Sequence, residues 1–243
     1  MITVQNGIPL SSIIIVFISA ISFTIISLLL VKKYIEKPSI PLRYLMLSMI
    51  SYAISAYVYG TGILMDFLGI SIKPGTTNIY LTMMLEFIFI ALGNVFLVVF
   101  MTYVYLDANN QVLIIMTALN SLSIGLFIPN VKYVVTVKDV NFYFPYFIII
   151  SLITYGVFIY KNQQAIKSTQ NKNVIIGFRF MQLFGLFIIL SFLGFTNNIR
   201  SILRHNLFFN VFFYFGYLMF TITAIMAYLG FILPSLLLKK KEK

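Results

Sequence analysis

Leu10–Val31, with the sequence LSSIIIVFISAISFTIISLLLV, is an uninterrupted apolar stretch without a charged side chain. About 20 apolar residues in a helix cross the ~30 Å hydrocarbon layer of a membrane, so this stretch predicts a transmembrane helix. No basic residue precedes it, and the first cations are Lys32 and Lys33 after it. A cleaved signal peptide has a basic segment before a shorter apolar core. We therefore expect a retained first helix.

Similar apolar stretches follow along the rest of the chain and are separated by charged or turn residues. The predicted spans are approximately Leu10–Val31, Leu42–Met65, Tyr80–Leu106, Val112–Ile128, Phe142–Tyr160, Val174–Phe195 and Leu207–Leu238. The fourth is the shortest, and Pro129 follows it directly. The sequence thus predicts an all-α integral membrane protein, a single bundle of seven transmembrane helices over residues 1–243 with no soluble domain.

The composition agrees with a membrane protein and excludes several kinds of site. The chain is 60% hydrophobic and 9% charged, whereas soluble domains are about 25% charged. It has no cysteine and one histidine, which excludes disulfides, thiolate metal sites and bis-histidine haem. It also contains no phosphate-binding glycine loop and no HExxH motif. We expect no cofactor, no metal site and no catalytic residues, and hence a protein that is not an enzyme.

The basic residues predict the orientation of the bundle. With the N-terminus outside and the C-terminus inside, twelve of the 17 Lys and Arg residues lie in inner segments. The inner cations are Lys32, Lys33, Lys37, Arg43, Lys161, Lys167, Lys172, Arg179, Lys239, Lys240, Lys241 and Lys243. The outer cations are Lys73, Lys132, Lys138, Arg200 and Arg204. The excess of inner over outer cations is the positive-inside pattern of a cell-membrane protein. The basic inner face would also contact anionic lipid.

Polar side chains recur on one face of several predicted helices and must face other helices or water, because lipid offers no hydrogen bonds. On the second helix they are Tyr44, Ser48, Ser51, Ser55, Tyr59 and Gly62. On the seventh they are Asn210, Tyr214, Tyr217, Thr221, Ala224 and Tyr228. These faces predict either close packing or a hydrated pathway. Thr117, Ser121 and Gly125 on the fourth helix predict packing.

Glu86 is the sharpest polar signal, since a charged carboxylate at mid-helix costs about 2.5–3.5 kcal/mol. Its expected partners are Arg200 and Arg204, which are one helical turn apart in an outer segment beside His205. Arg179 enters from the inner side, too far along the membrane normal to pair with it. The two interpretations left open are a structural salt bridge and a proton, cation or ligand site.

Three other polar residues have simpler predicted roles. Asn94 lies near the middle of the third span, where an interhelical hydrogen bond is expected. Arg179 is predicted to reach the inner lipid phosphates, and Gln182, one turn deeper, to form a hydrogen bond within the bundle.

Known seven-helix families differ from this chain. Retinal proteins need a lysine in the last helix, and none lies between Lys172 and Lys239. The layout is similar to seven-helix sensory modules joined to histidine kinases, which carry an output domain after the last helix. It is also similar to polytopic subunits of DNA-import systems, but only in span number and in the lack of soluble domains. No motif carries any of these resemblances.

The function predicted from these features is a non-enzymatic subunit of a translocation or transport complex. The alternative is a sensory or receptor module that signals through a separate cytoplasmic partner. The expected partners are the lipid bilayer and other membrane or cytoplasmic subunits, with nucleic acid only as a translocated substrate.

Overall fold

The computed structural model describes residues 7–71, 78–105, 111–128, 137–205 and 208–231, and all its regular elements are α-helices. The helices are α1 (Leu10–Glu36), α2 (Ile40–Phe67), α3 (Asn78–Tyr105), α4 (Gln111–Phe127), α5 (Val137–Ser168), α6 (Lys172–His205) and α7 (Val211–Phe231). The prediction of an all-α chain with seven apolar helices is confirmed for this part. The expected span end at Leu238 and the basic tail lie outside the described residues.

Six of these helices are long and apolar enough to cross a membrane, which is the pattern of a multi-pass membrane protein. The exception is α4, which has 17 residues. At 1.5 Å per residue it is about 25 Å long, slightly less than the hydrocarbon thickness.

Contacts between helices arrange six of them in a closed ring. The order around the ring is α1, α2, α3, α5, α6 and α7, and α7 packs against α1 to close it. α4 lies outside this ring and packs against α3 and α5. Successive helices run in opposite directions, so α1, α3, α5 and α7 begin at one end of the bundle, called here the first end.

Small residues let neighbouring helices approach closely in a membrane bundle. The backbones of α6 and α7 approach closely in this way, since a Cβ on Gly194 would lie 2.8 Å from the Cα of Gly216. Aromatic side chains fill the space between α3 and α5, where the Phe87 ring lies 5.1 Å from both Phe144 and Phe147.

The structure corrects the expected end of α6. The helix continues to His205 and contains 34 residues, whereas the sequence predicted an end at Phe195. Buried residues at Phe195, Ile199 and Ile202 continue the helical spacing past the apolar stretch. Arg200 and Arg204 therefore lie on a helix and not in a loop.

The expected packing stripe of α4 is also wrong. The buried face of this helix consists of Leu113, Met116, Asn120, Ser123 and Phe127. Thr117, Ser121 and Gly125 lie on another face, where Ser121 and Gly125 are exposed and a Cβ on Gly125 would meet no atom within 4 Å. Gly125 therefore faces open space in the described structure and does not form the close contact that the stripe predicted.

Candidate buried carboxyl site

The Glu86 side chain is buried within the bundle and its partner is a tyrosine. Glu86 lies about 12 Å along α3 from Asn78, and it is 4% exposed. The Tyr217 hydroxyl of α7 donates a 2.7 Å hydrogen bond to Oε1 of Glu86. Tyr217 is itself 1% exposed. The hydrogen bond joins α3 to α7, which are not neighbours in the ring.

A small cavity of about 20 Å³ lies beside this pair. That volume is sufficient for one water molecule, which needs about 10–15 Å³ by this measure. The cavity is lined by Tyr59, Met83, Glu86, Phe87, Phe195, Asn198, Ile199, Phe213 and Tyr217. The lining is aromatic and apolar apart from Glu86, Asn198 and the two tyrosine hydroxyls.

Aromatic contacts hold the Tyr217 ring in place. The Tyr59 ring from α2 stacks on it at 6.0 Å with an interplanar angle of 6°. Phe195 from α6 meets it edge-on at 4.9 Å. Neither the Tyr59 hydroxyl nor Oε2 of Glu86 hydrogen-bonds to another described residue. Two polar groups at the cavity are thus left for water or a proton.

Two asparagines close the cavity towards the first end of the bundle. Nδ2 of Asn210 donates a 2.9 Å hydrogen bond to Oδ1 of Asn198, which lines the cavity. Asn210 also caps α7, since its Oδ1 accepts from the backbone N–H of Phe212 at 2.8 Å. The sequence singled out Asn210, and its observed contacts are those of a helix cap.

The expected salt bridge of Glu86 is not formed within the described residues. Arg200 and Arg204 are both exposed, and neither pairs with the carboxyl that Tyr217 contacts. The reason is helical geometry: at 100° per residue, Arg200 lies about 160° around α6 from Asn198, which lines the cavity. The His205 side chain lies outside the described residues, so its expected place beside the site is not described.

Tyr214 lies apart from Glu86 as well. Its hydroxyl shares a 2.7 Å hydrogen bond with Oγ of Ser11, at an exposed position near the starts of α1 and α7. Of the predicted polar site residues, Glu86 and Tyr217 are in direct contact, and Asn210 connects to them through Asn198.

Asn94 forms a second polar cluster deeper in the bundle. Its Oδ1 accepts from the hydroxyls of Tyr52, at 3.0 Å, and of Tyr155. Its Nδ2 donates to Oγ of Ser151 at 3.1 Å. These bonds link α3 to α2 and α5, as expected for an interhelical hydrogen bond. Tyr155 and Ser151 could not be predicted as its partners, because isolated polar residues in an apolar span do not indicate what they bond to.

The polar stripe of α2 serves packing in the described structure. Ser48 donates to the Gly93 carbonyl of α3 at 2.9 Å. Ser51 and Ser55 bond to carbonyls of their own helix, those of Leu47 and Tyr52.

Gln182 and Arg179, which were predicted on the inner side, lie apart from the carboxyl site. Nε2 of Gln182 donates to Oε1 of Gln163 at 2.8 Å, which joins α6 to α5. Arg179 is exposed on the second turn of α6.

No cluster of three or more His, Cys, Asp or Glu side chains that could bind a metal occurs within the described ranges. The chain matches no protein-family model, no curated protein and no solved structure.

Proposed function

We propose that the protein is a seven-span plasma-membrane protein with its N-terminus outside and its C-terminus inside. Support comes from the basic residues, twelve of which then lie on the cytoplasmic side. In this arrangement the first end of the bundle is the outer end, and Glu86 lies about 12 Å below it.

Within this orientation, the proposed function is a non-enzymatic sensory module that signals through a separate cytoplasmic partner. The observation that carries this proposal is the hydrogen bond from Tyr217 to Glu86, which joins α7 to α3 across the ring. A single ionisable group in such a position can couple its charge to helix packing. The serines of the α2 stripe bond either to α3, as Ser48 does, or to carbonyls of α2 itself, as Ser51 and Ser55 do, and this supports sensing over conduction through one chain.

The mechanism follows from the two states of one carboxyl. A protonated Glu86 accepts from Tyr217 and can also donate its own proton to water or to the Tyr59 hydroxyl. An ionised Glu86 can only accept hydrogen bonds, and its charge must be solvated inside the bundle. The cavity has space for about one water molecule, so solvating the charge requires α3 and α7 to separate. Proton binding from the outer side would thereby change the helix arrangement.

Infrared difference spectroscopy in lipid nanodiscs tests the proton step. We expect a carboxyl C=O band that appears and disappears reversibly with pH in the parent protein and is absent in Glu86→Gln. The matched control is Glu36→Gln, which makes the same chemical change at an exposed position at the other end of the bundle. A band that survives in Glu86→Gln, or that Glu36→Gln also removes, would contradict the proposal.

The second candidate function is a non-enzymatic subunit of a translocation or transport complex. The small face of α4 with Thr117, Ser121 and Gly125 favours it, because such faces pack against other membrane helices. Purification in mild detergent distinguishes the two functions. A co-purified kinase or transcription regulator supports sensing, whereas a co-purified ATPase or pore subunit supports translocation.

A further inference from the structure

A groove of about 300 Å³ runs between α5 and α6 near the first end of the bundle. Its lining residues are Phe144, Pro145, Ile148, Ile149, Thr196, Ile199, Arg200 and Leu203. The walls are apolar, and Arg200 is the charged group among them. The groove extends along α6 from Leu203 to Thr196, which corresponds to about 10 Å of helix.

The depth of Arg200 follows from the neighbouring helix. Asn198 is level with Asn210, to which it is hydrogen-bonded, and Asn210 immediately precedes α7. Arg200 lies about 3 Å further towards the first end. The guanidinium is therefore at the level where a membrane helix begins. Within the groove, Leu203 lies about 4.5 Å beyond Arg200 towards the first end, and Thr196 lies about 6 Å below it, at the depth of the acyl chains.

The charge of Arg200 has no partner in the described structure. The side chain is exposed, and it forms neither an ion pair nor a hydrogen bond with the described residues. A guanidinium binds phosphate through paired N–H donors. A cation in an apolar groove that continues below it is complementary to a phosphate group joined to a hydrocarbon chain.

We propose that this α5–α6 groove binds an anionic phospholipid, with the phosphate at Arg200 and an acyl chain against Ile148, Ile149 and Ile199. The inference is independent of the proposed sensory function, because neither Glu86 nor Tyr217 lines the groove.

The absence of tryptophan from the chain allows a direct test. Ile149→Trp places a fluorophore in the groove, and Ile115→Trp on α4 places one at an equally exposed control position, since both isoleucines are 56% exposed. Each variant is titrated with brominated phosphatidylglycerol or brominated phosphatidylcholine in mixed micelles. We expect about a five-fold preference for the anionic lipid at Ile149→Trp, as one cation near a headgroup supports, and no such preference at Ile115→Trp.

The arginine variants determine the cause of any preference. Arg200→Gln, combined with Ile149→Trp, should remove the preference, whereas Arg204→Gln should retain it, because Arg204 is exposed on the same helix but does not line the groove. Native mass spectrometry of the tryptophan-free protein should likewise show fewer retained anionic lipids in Arg200→Gln than in Arg204→Gln. Equal quenching by both lipids, a preference unchanged by Arg200→Gln, or equal loss in both arginine variants would overturn the proposal.

Discussion

Tyr217 donates a hydrogen bond to Glu86 across the interior of the ring, and both side chains are buried. Tyr217→Phe removes the donor and retains the ring that stacks on Tyr59. We expect the free energy of unfolding to fall by about 1–3 kcal/mol, because a buried acceptor loses its partner. Thermal unfolding in detergent measures this. The control Tyr214→Phe breaks an exposed hydrogen bond and should lower the free energy of unfolding by less. Equal losses in the two variants would contradict the prediction that the buried bond contributes more.

Glu86 and Arg200 should act independently. The structure gives Glu86 a tyrosine partner and leaves Arg200 on another face of α6. In a double-mutant cycle, Glu86→Gln and Arg200→Gln should therefore be additive within about 0.5 kcal/mol, whereas Glu86→Gln and Tyr217→Phe should be coupled. Melting temperatures of the single and double variants test this. If the Glu86→Gln/Arg200→Gln double variant is more stable than either single variant, the two residues form a salt bridge and the prediction is wrong.

Asn94→Leu should destabilise the bundle more than a matched change elsewhere. Asn94 bonds to Tyr52, Tyr155 and Ser151 on two other helices, and such membrane bonds contribute about 0.6 kcal/mol each on average. A total loss of about 1–2 kcal/mol is expected in denaturant unfolding. Asn197→Leu serves as the control, because exposed Asn197 donates to the Leu193 carbonyl of its own helix.

Gly194→Ala should weaken the contact between α6 and α7. The added Cβ would lie 2.8 Å from the Cα of Gly216, and a backbone atom cannot move aside without separating the helices. We expect a loss of about 1–3 kcal/mol from overpacking. Gly156→Ala on α5 is the control, since its Cβ would meet no atom within 4 Å. That change should be neutral or slightly stabilising, because alanine is the better helix former. Comparable destabilisation by Gly194→Ala and Gly156→Ala would contradict the close approach of α6 and α7 at Gly194.

Single cysteines can test the proposed orientation because the parent chain has none. Leu68→Cys lies at the end of α2, and Gln170→Cys lies between α5 and α6; both positions are exposed. In intact cells, a membrane-impermeant maleimide should label Leu68→Cys directly and Gln170→Cys only after permeabilisation. The opposite labelling pattern would show that the bundle has the reverse orientation. Labelling of both cysteines in intact cells would show that the two positions lie on the same side of the membrane.

The helices could be predicted from the sequence because each is dominated by one long apolar stretch. The end of α6 could not, because polar Asn197, Asn198 and Arg200 resemble a loop when the helical spacing of Ile199 and Ile202 is not considered. The importance of Glu86 and Tyr217 was evident separately, since each is polar inside a span. Their contact was not, because the sequence does not specify which helices face each other across a ring.

The predicted role of Arg200 and Arg204 failed for a related reason. A similar depth in the membrane does not determine the side of the helix from which a cation projects. Rotation about the α6 axis decides whether Arg200 faces Glu86 or lipid, and this rotation is set by packing of Phe195 and Ile199 against other helices.

The α1–α7 contact has a consequence for how the protein is made. Oγ of Ser19 on α1 donates to the Tyr217 carbonyl of α7 at 3.1 Å and shares a 2.7 Å bond with Oγ1 of Thr221. Because helices enter the membrane in the order of synthesis, the α1–α7 interface can form only after α7 has been inserted. Until α7 has been inserted, the Ser19 hydroxyl therefore lacks the two bonds that it forms with α7 in the complete fold.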